Sequence, residues 1–179
     1  MRLLSREFVN WGVHKVRKQV NMRGGGAYFS FHYRSHQYGY GSDVSYSQGK
    51  LGVGFAGANY GMLTDLGDTP LEPISAEDPR ARFLLDYKPA QKEKDARIEF
   101  KKFNTILGPN RLSGFTVDGV TYQTRVDAVV NHTYLLRSIV YRTSDVLVAF
   151  RIVSGGADGG LTIAWKILKE YRPTELIPD

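Results

Sequence analysis

The sequence predicts an α+β domain: a mainly antiparallel β-sheet, curled or doubled on itself, with an N-terminal amphipathic helix and one or two further helices. Three observations predict it. The last third of the chain alternates apolar and polar residues, as strands with one buried face do. The first 22 residues instead repeat apolar side chains at helical spacing. And 179 residues with 42% hydrophobic and 23% charged side chains can bury a core without staples.

Taken in order, residues 3–22 read as a helix. Val9, Val13, Val16 and Val20 recur at spacings of four, three and four, and Leu4, Phe8 and Trp11 add an adjoining strip. Gly24-Gly25-Gly26 would break that helix. The chain therefore divides into a basic amphipathic arm, 1–23, and one β-rich domain, 24–179. Ala27–Arg34 alternates as a strand, with Ala27, Phe29, Phe31 and Tyr33 on one face. A polar, aromatic loop over 35–49 then leads into a short strand near Val44–Ser47, and another follows at Lys50–Phe55. Gly57–Pro73 predicts little regular structure beyond a short strand at Tyr60–Thr64.

Asp78-Pro79 opens a helix that runs over Ala81–Tyr87. Residues 92–107 fit two periods. Ala96, Phe100, Phe103 and Leu107 make a helical face, with Glu93 four before Arg97. Ile98 and Phe100 between charges also fit a strand; helix is the preferred reading. Val117-Asp118-Gly119-Val120 predicts a type I′ hairpin joining strands at 113–117 and 120–125. Tyr134–Tyr141 and Val146–Val153 make two more strands, joined by a turn at 142–145. Val146, Val148, Phe150 and Ile152 form one apolar face, and Leu161, Ile163, Trp165 and Ile167 form its match after a glycine-rich loop. The expectation is a meander packed on one side.

Composition narrows the function classes. With no cysteine, disulfides, thiolate zinc sites and thiol nucleophiles are excluded. No run approaches the roughly 18 apolar residues of a spanning helix. The opening also lacks the apolar core of a signal peptide, although its Arg-rich start has the look of a transit segment. The compartment expected is the cytoplasm. The net charge of +6 is uneven: residues 1–23 carry six basic groups against Glu7, and the other 156 residues carry 18 basic against 17 acidic. The basic character thus belongs to the arm.

Gly52-Val53-Gly54-Phe55-Ala56-Gly57 matches the form of a dinucleotide loop, but no helix start or parallel βαβ unit follows. A bulged or tightly packed strand explains these glycines better. His32 and His36 stand four apart, about 13 Å along a strand at about 3.3 Å per residue, too far to share a metal. Ser35-His36 and Ser42-Asp43 supply the residue types of a hydrolytic triad, without the elbow motif that positions its nucleophile. Asp65, Asp68 and Glu72 suit acid–base work, or simply cap turns. Asn131-His132-Thr133 fits a glycosylation sequon, with no sign of secretion to make it relevant. No metal and no cofactor is predicted.

Six of the eleven tyrosines (Tyr28, Tyr33, Tyr38, Tyr40, Tyr46 and Tyr60) fall within 33 residues. Tyrosine gives rigid, amphipathic contact area, so this segment is either a recognition surface or a set of core strand residues. The leading expectation is a non-catalytic interaction module, engaging a protein partner or another copy of itself. Its candidate binding residues are Tyr28, His32, Arg34, His36, Tyr38 and Tyr40, joined from the arm by Arg6, Trp11, Lys15, Arg17 and Lys18. Nucleic-acid or anionic-surface binding through the basic arm is the alternative. A small hydrolytic enzyme using His32, His36, Asp43 or Asp65 is the third reading, and the balance leans away from catalysis.

Overall fold

A computed structural model describes residues 1–6, 26–54, 59–103 and 114–178, together with the backbone pairing of 11–12 and 15–16. The elements are short at first. Strands β1 (Arg2–Leu3), β2 (Trp11–Gly12), β3 (Lys15–Val16) and β4 (Tyr28–Phe29) precede β5 (Val44–Ser47), β6 (Lys50–Gly52) and β7 (Tyr60–Asp65). Helices α1 (Arg82–Asp86) and α2 (Glu93–Phe103) follow. The chain then makes β8 (Phe115–Val117), β9 (Val120–Tyr122), β10 (Arg125–Asp127), β11 (Thr133–Val140), β12 (Ser144–Gly155) and β13 (Leu161–Tyr171).

A five-stranded antiparallel sheet in the order β1-β13-β12-β11-β7 faces a four-stranded one in the order β10-β6-β5-β4. The two are stitched at both margins. On one side Leu63 of β7 exchanges backbone hydrogen bonds of 2.7 and 2.8 Å with Gln123. On the other, the chain leaving β1 donates from Leu4 to the Gly26 carbonyl and from Arg6 to the Tyr46 carbonyl. The sheets thus curl into a flattened barrel around one core. Phe29, Phe31, Val44, Leu51 and Val53 from the smaller sheet meet Leu136, Val148, Phe150, Ile152 and Ile163 from the larger.

The alternation expected along β12 and β13 holds. Val146, Val148, Phe150 and Ile152 line the interior with Leu161 and Ile163, and Trp165 and Ile167 pack partly buried beside them. The expectation of one packed side does not hold. The outer face of the larger sheet is covered too, by Leu84 of α1, Ala96 of α2 and Tyr122 of β9 over Tyr60, Met62, Leu135, Ile139, Leu147 and Ala149. Strand β11 is accordingly buried at all eight positions.

Two polar devices hold the helices on that face. Arg137, buried on β11, pairs through Nε with Asp145 at 2.6 Å, donates to the Leu84 carbonyl of α1, and lies 3.4 Å over the Tyr171 ring. The Tyr60 and Tyr87 hydroxyls meet at 2.8 Å, Tyr87 donates to Glu99 of α2 at 3.0 Å, and Tyr141 donates to the Ala90 carbonyl at 2.6 Å. Burial drives all three phenols well above the ordinary tyrosine range.

The fold class is corrected accordingly: among the described residues the chain is mostly antiparallel sheet with two short helices, and the described part of the first 22 residues pairs as strands rather than forming the expected amphipathic helix. Where that helix was expected, Arg2 and Leu3 pair with Thr162 and Leu161, and Trp11–Gly12 pairs with Lys15–Val16. Strand pairing wins because it buries Leu3 completely and because the Met1 ammonium and carbonyl both bond to Ile163. Valines are mediocre helix formers whose β-branched side chains suit strands. The strand expected over Ala27–Arg34 stops at Phe29, and Phe31–Arg34 is a turn. Over 92–107 the described part, to Phe103, is helix. The type I′ hairpin is present, with φ of 50° at Asp118 and 78° at Gly119.

Candidate functional site

Two places in the fold concentrate polar and aromatic side chains: the loop joining β4 to β5, and a cleft at the end of β7. The loop begins as a tight hairpin. Ser30 and Ser35 exchange backbone hydrogen bonds of 2.9 and 3.2 Å around the turn Phe31–Arg34, and Arg34 takes a positive φ of 53° to close it. Phe31 points inward as a plug, with its ring 5.3 Å from Trp165 and 6.0 Å from Phe150. Asp43 lies beneath the turn with no exposed surface. Its Oδ2 accepts from the Phe31 amide at 2.7 Å, the Ser30 hydroxyl at 3.0 Å and the His32 amide at 3.3 Å. Among the described residues its Oδ1 has no partner at hydrogen-bond distance, the Ser138 hydroxyl being close without meeting it. Burial raises the Asp43 carboxyl above the ordinary aspartate range; the Ser138 hydroxyl, the two amides and Ser30 oppose that rise without cancelling it.

What this platform presents is aromatic and basic. Tyr33, Tyr38 and Tyr40 are 50%, 58% and 70% exposed, and His32, Arg34 and His36 are exposed beside them. Several are held in place. Tyr38 packs edge-on against the buried Tyr28 ring at 5.1 Å, and Tyr33 packs against His32 at 4.8 Å. Arg6 sits 5.9 Å over the other side of the cluster, on Tyr28, and donates to its hydroxyl at 2.7 Å. The His36 ring leans on Phe29, and its Nδ1 bonds to the Tyr28 carbonyl at 2.9 Å.

Of the residues singled out in the sequence, His32, Arg34, His36, Tyr38 and Tyr40 are thus brought together, with Arg6 at their margin and Tyr28 as their buried support. Trp11 and Lys15 lie in the β2–β3 ladder. Arg17 and Lys18 lie outside the described residues. Tyr46 and Tyr60 belong to the core. The triad types do not assemble: Asp43 caps the turn, His36 holds the Tyr28 carbonyl, and the Ser42 hydroxyl donates to the Gln37 carbonyl. Past Gly54, the described chain resumes at Asn59 and enters β7 at Tyr60 rather than a helix.

The cleft encloses about 480 Å³ between the end of β7, the β8–β9 turn and β10, with Asp65, Arg80, Thr121, Gln123 and Asp127 on its walls. Here the sequence reading missed a pair. His132 Nδ1 lies 2.9 and 3.0 Å from the two oxygens of Asp65, which also accepts from the Gly67 amide at 2.8 Å. The residues are 67 apart in the chain, and only the β7–β11 pairing joins them. An imidazole so oriented has the second partner of an acid–base dyad. Among the described residues, no serine or threonine hydroxyl bonds its Nε2. The other charged walls are also engaged: Arg80 takes Asp78 with two nitrogens at 2.8 and 3.0 Å, and Asp127 takes Lys50 at 2.5 Å. Among the described residues, no three histidine or acidic side chains cluster as a metal site.

No helix among the described residues is long and apolar enough to cross a membrane. No protein family, curated protein or solved structure matches the chain.

Proposed function

We propose that the chain is a non-catalytic binding module that engages a protein partner through the loop between β4 and β5. The observation that carries this reading is the exposure of Tyr33, Tyr38 and Tyr40 on one loop anchored to the core by Phe31 and Asp43. Exposed tyrosines grouped with arginine, histidine, serine and glycine have the composition of recognition surfaces. Anchoring lowers the entropy lost on binding, because the loop is ordered beforehand. Support also comes from the cleft, whose charged walls are occupied by partners within the chain.

A library of random 12-residue peptides, selected on the full chain, tests the proposal. Peptides enriched on the native chain should bind the Y33A/Y38A/Y40A variant at least about tenfold more weakly, since truncating one hot-spot aromatic costs about 2 kcal/mol. All three side chains are at least half exposed, and circular dichroism checks that the variant keeps its fold. Equal binding to both chains would refute the proposal.

A further inference from the structure

The loop surface carries a charge pattern that says what kind of partner fits it. We infer that the partner presents an acidic segment, whose carboxylates meet Arg34 and the tyrosine hydroxyls; this rests on the binding reading above. Residues 26–42 contain no aspartate or glutamate. The next residue, Asp43, is acidic but buried, with its oxygens turned to the underside of the turn and the barrel interior. The exposed polar groups are therefore the guanidinium of Arg34, two imidazoles and phenol hydroxyls, a surface rich in hydrogen-bond donors.

The N-terminal segment adds to the same sign. Residues 7–25 hold Lys15, Arg17, Lys18 and Arg23 against Glu7. Both ends of that segment are fixed beside the loop: Arg6 bonds to Tyr28, and Gly26 accepts from Leu4. By sequence that segment carries a net three positive charges, the same sign as the loop.

Two other occupants fit less well. A second copy docking loop to loop would bring two basic loops without acids together, a like-charge approach that costs affinity. Single-stranded nucleic acid needs open ring faces for stacking bases. Tyr38 packs at right angles to Tyr28, and Tyr33 lies against His32 and near Gly41, whose added Cβ would come 3.7 Å from the Tyr33 ring, contacts that restrict how either ring can turn to meet a base. The phenol hydroxyls can donate to carboxylates.

Fluorescence anisotropy on the full chain decides between them with three labelled probes. These are a 12-residue peptide alternating Glu and Gly, its Lys–Gly counterpart, and a 12-nucleotide oligo-dT. The Glu peptide should bind and the Lys peptide should not. Its affinity should fall about tenfold or more in R34E, in Y33A/Y38A/Y40A, and between low and moderate salt, as expected of a charge-steered exposed contact. Tighter binding of oligo-dT, lost in the same variants, would overturn the inference in favour of nucleic acid. Glu-peptide binding that ignores both variants would overturn it by placing the anion elsewhere. If no Glu peptide binds while library-selected neutral peptides still depend on the tyrosines, the charge inference fails and the binding reading stands; if nothing depends on the loop, both fail.

Discussion

Replacing Asp43 separates the two roles its carboxyl plays, acceptor and buried charge. Asp43→Ala removes the acceptor for the Phe31 amide and the Ser30 hydroxyl, both buried, and for the His32 amide. Each buried donor left without a partner costs about 1–3 kcal/mol. Part of that is offset by no longer burying a carboxylate whose Oδ1 is unpartnered, so the net loss should be about 2–4 kcal/mol. Asp43→Asn keeps an oxygen at the donors and removes the charge. Its amide can turn an N–H toward Ser138, so the change at neutral pH should stay within about 1 kcal/mol of zero.

The pH dependence fixes the sign. Burial raises the folded-state value of Asp43 above the ordinary 3.8, so the folded chain holds this proton more tightly than the unfolded chain. The stability this group contributes is therefore full below about 3.8 and is lost as pH rises through the raised folded value. Urea denaturation from pH 4 to pH 8 measures it. The native chain should gain on Asp43→Asn as pH falls, and Asp43→Ala should be the least stable at neutral pH. A flat difference between native and Asp43→Asn, or an Asp43→Asn loss equal to that of Asp43→Ala at neutral pH, would refute this account.

Three further substitutions have defined outcomes. Arg137→Met leaves Asp145 charged and buried without its partner and should cost about 3–5 kcal/mol by urea denaturation, most of it recovered in the R137M/D145L double variant. Gly61→Ala would set a Cβ 2.4 Å from the Arg137 carbonyl oxygen and 2.3 Å from a Val53 methyl; because the first neighbour is backbone, a loss of about 3 kcal/mol is expected, read as a lower thermal midpoint. Gly119→Ala meets open space but forces a side chain to a φ of 78°, so it should cost about 1 kcal/mol and leave the rest of the barrel intact by NMR.

How much of this was legible in the sequence depended on whether one period had a competitor. From Tyr134 onward, alternation had none, and the inward faces of β12 and β13 came out residue by residue. Their outer faces did not, because small and apolar residues such as Leu147 and Ala149 signal burial only once something is known to lie over them. At the N-terminus, valines spaced by four and three satisfy a helix as well as they satisfy strands. For Arg2 and Leu3 the edge of β13 decided, which no local pattern records. The candidate site divides in the same way. The tyrosine cluster was visible, but which rings face out depends on where β4 ends. The Asp65–His132 pair was invisible, since its members meet only through strand order.

That ending of β4 also explains why the loop can serve as a surface at all. Had the strand continued through Arg34, alternation would have placed Phe31 and Tyr33 on the same face and drawn Tyr33 toward the core. Instead the turn at Phe31 sends one aromatic inward, against Phe150 and Trp165, and leaves Tyr33 half exposed. The turn exists because a buried carboxyl gathers its amides, hydrogen bonds that no apolar residue would supply, at a cost in desolvation. A group so bonded fixes the geometry of the turn as well as contributing to stability. What it specifies here is the position of Tyr33 and Arg34 relative to the barrel, in a loop whose residues 26–42 hold no acid and whose next residue, Asp43, is buried.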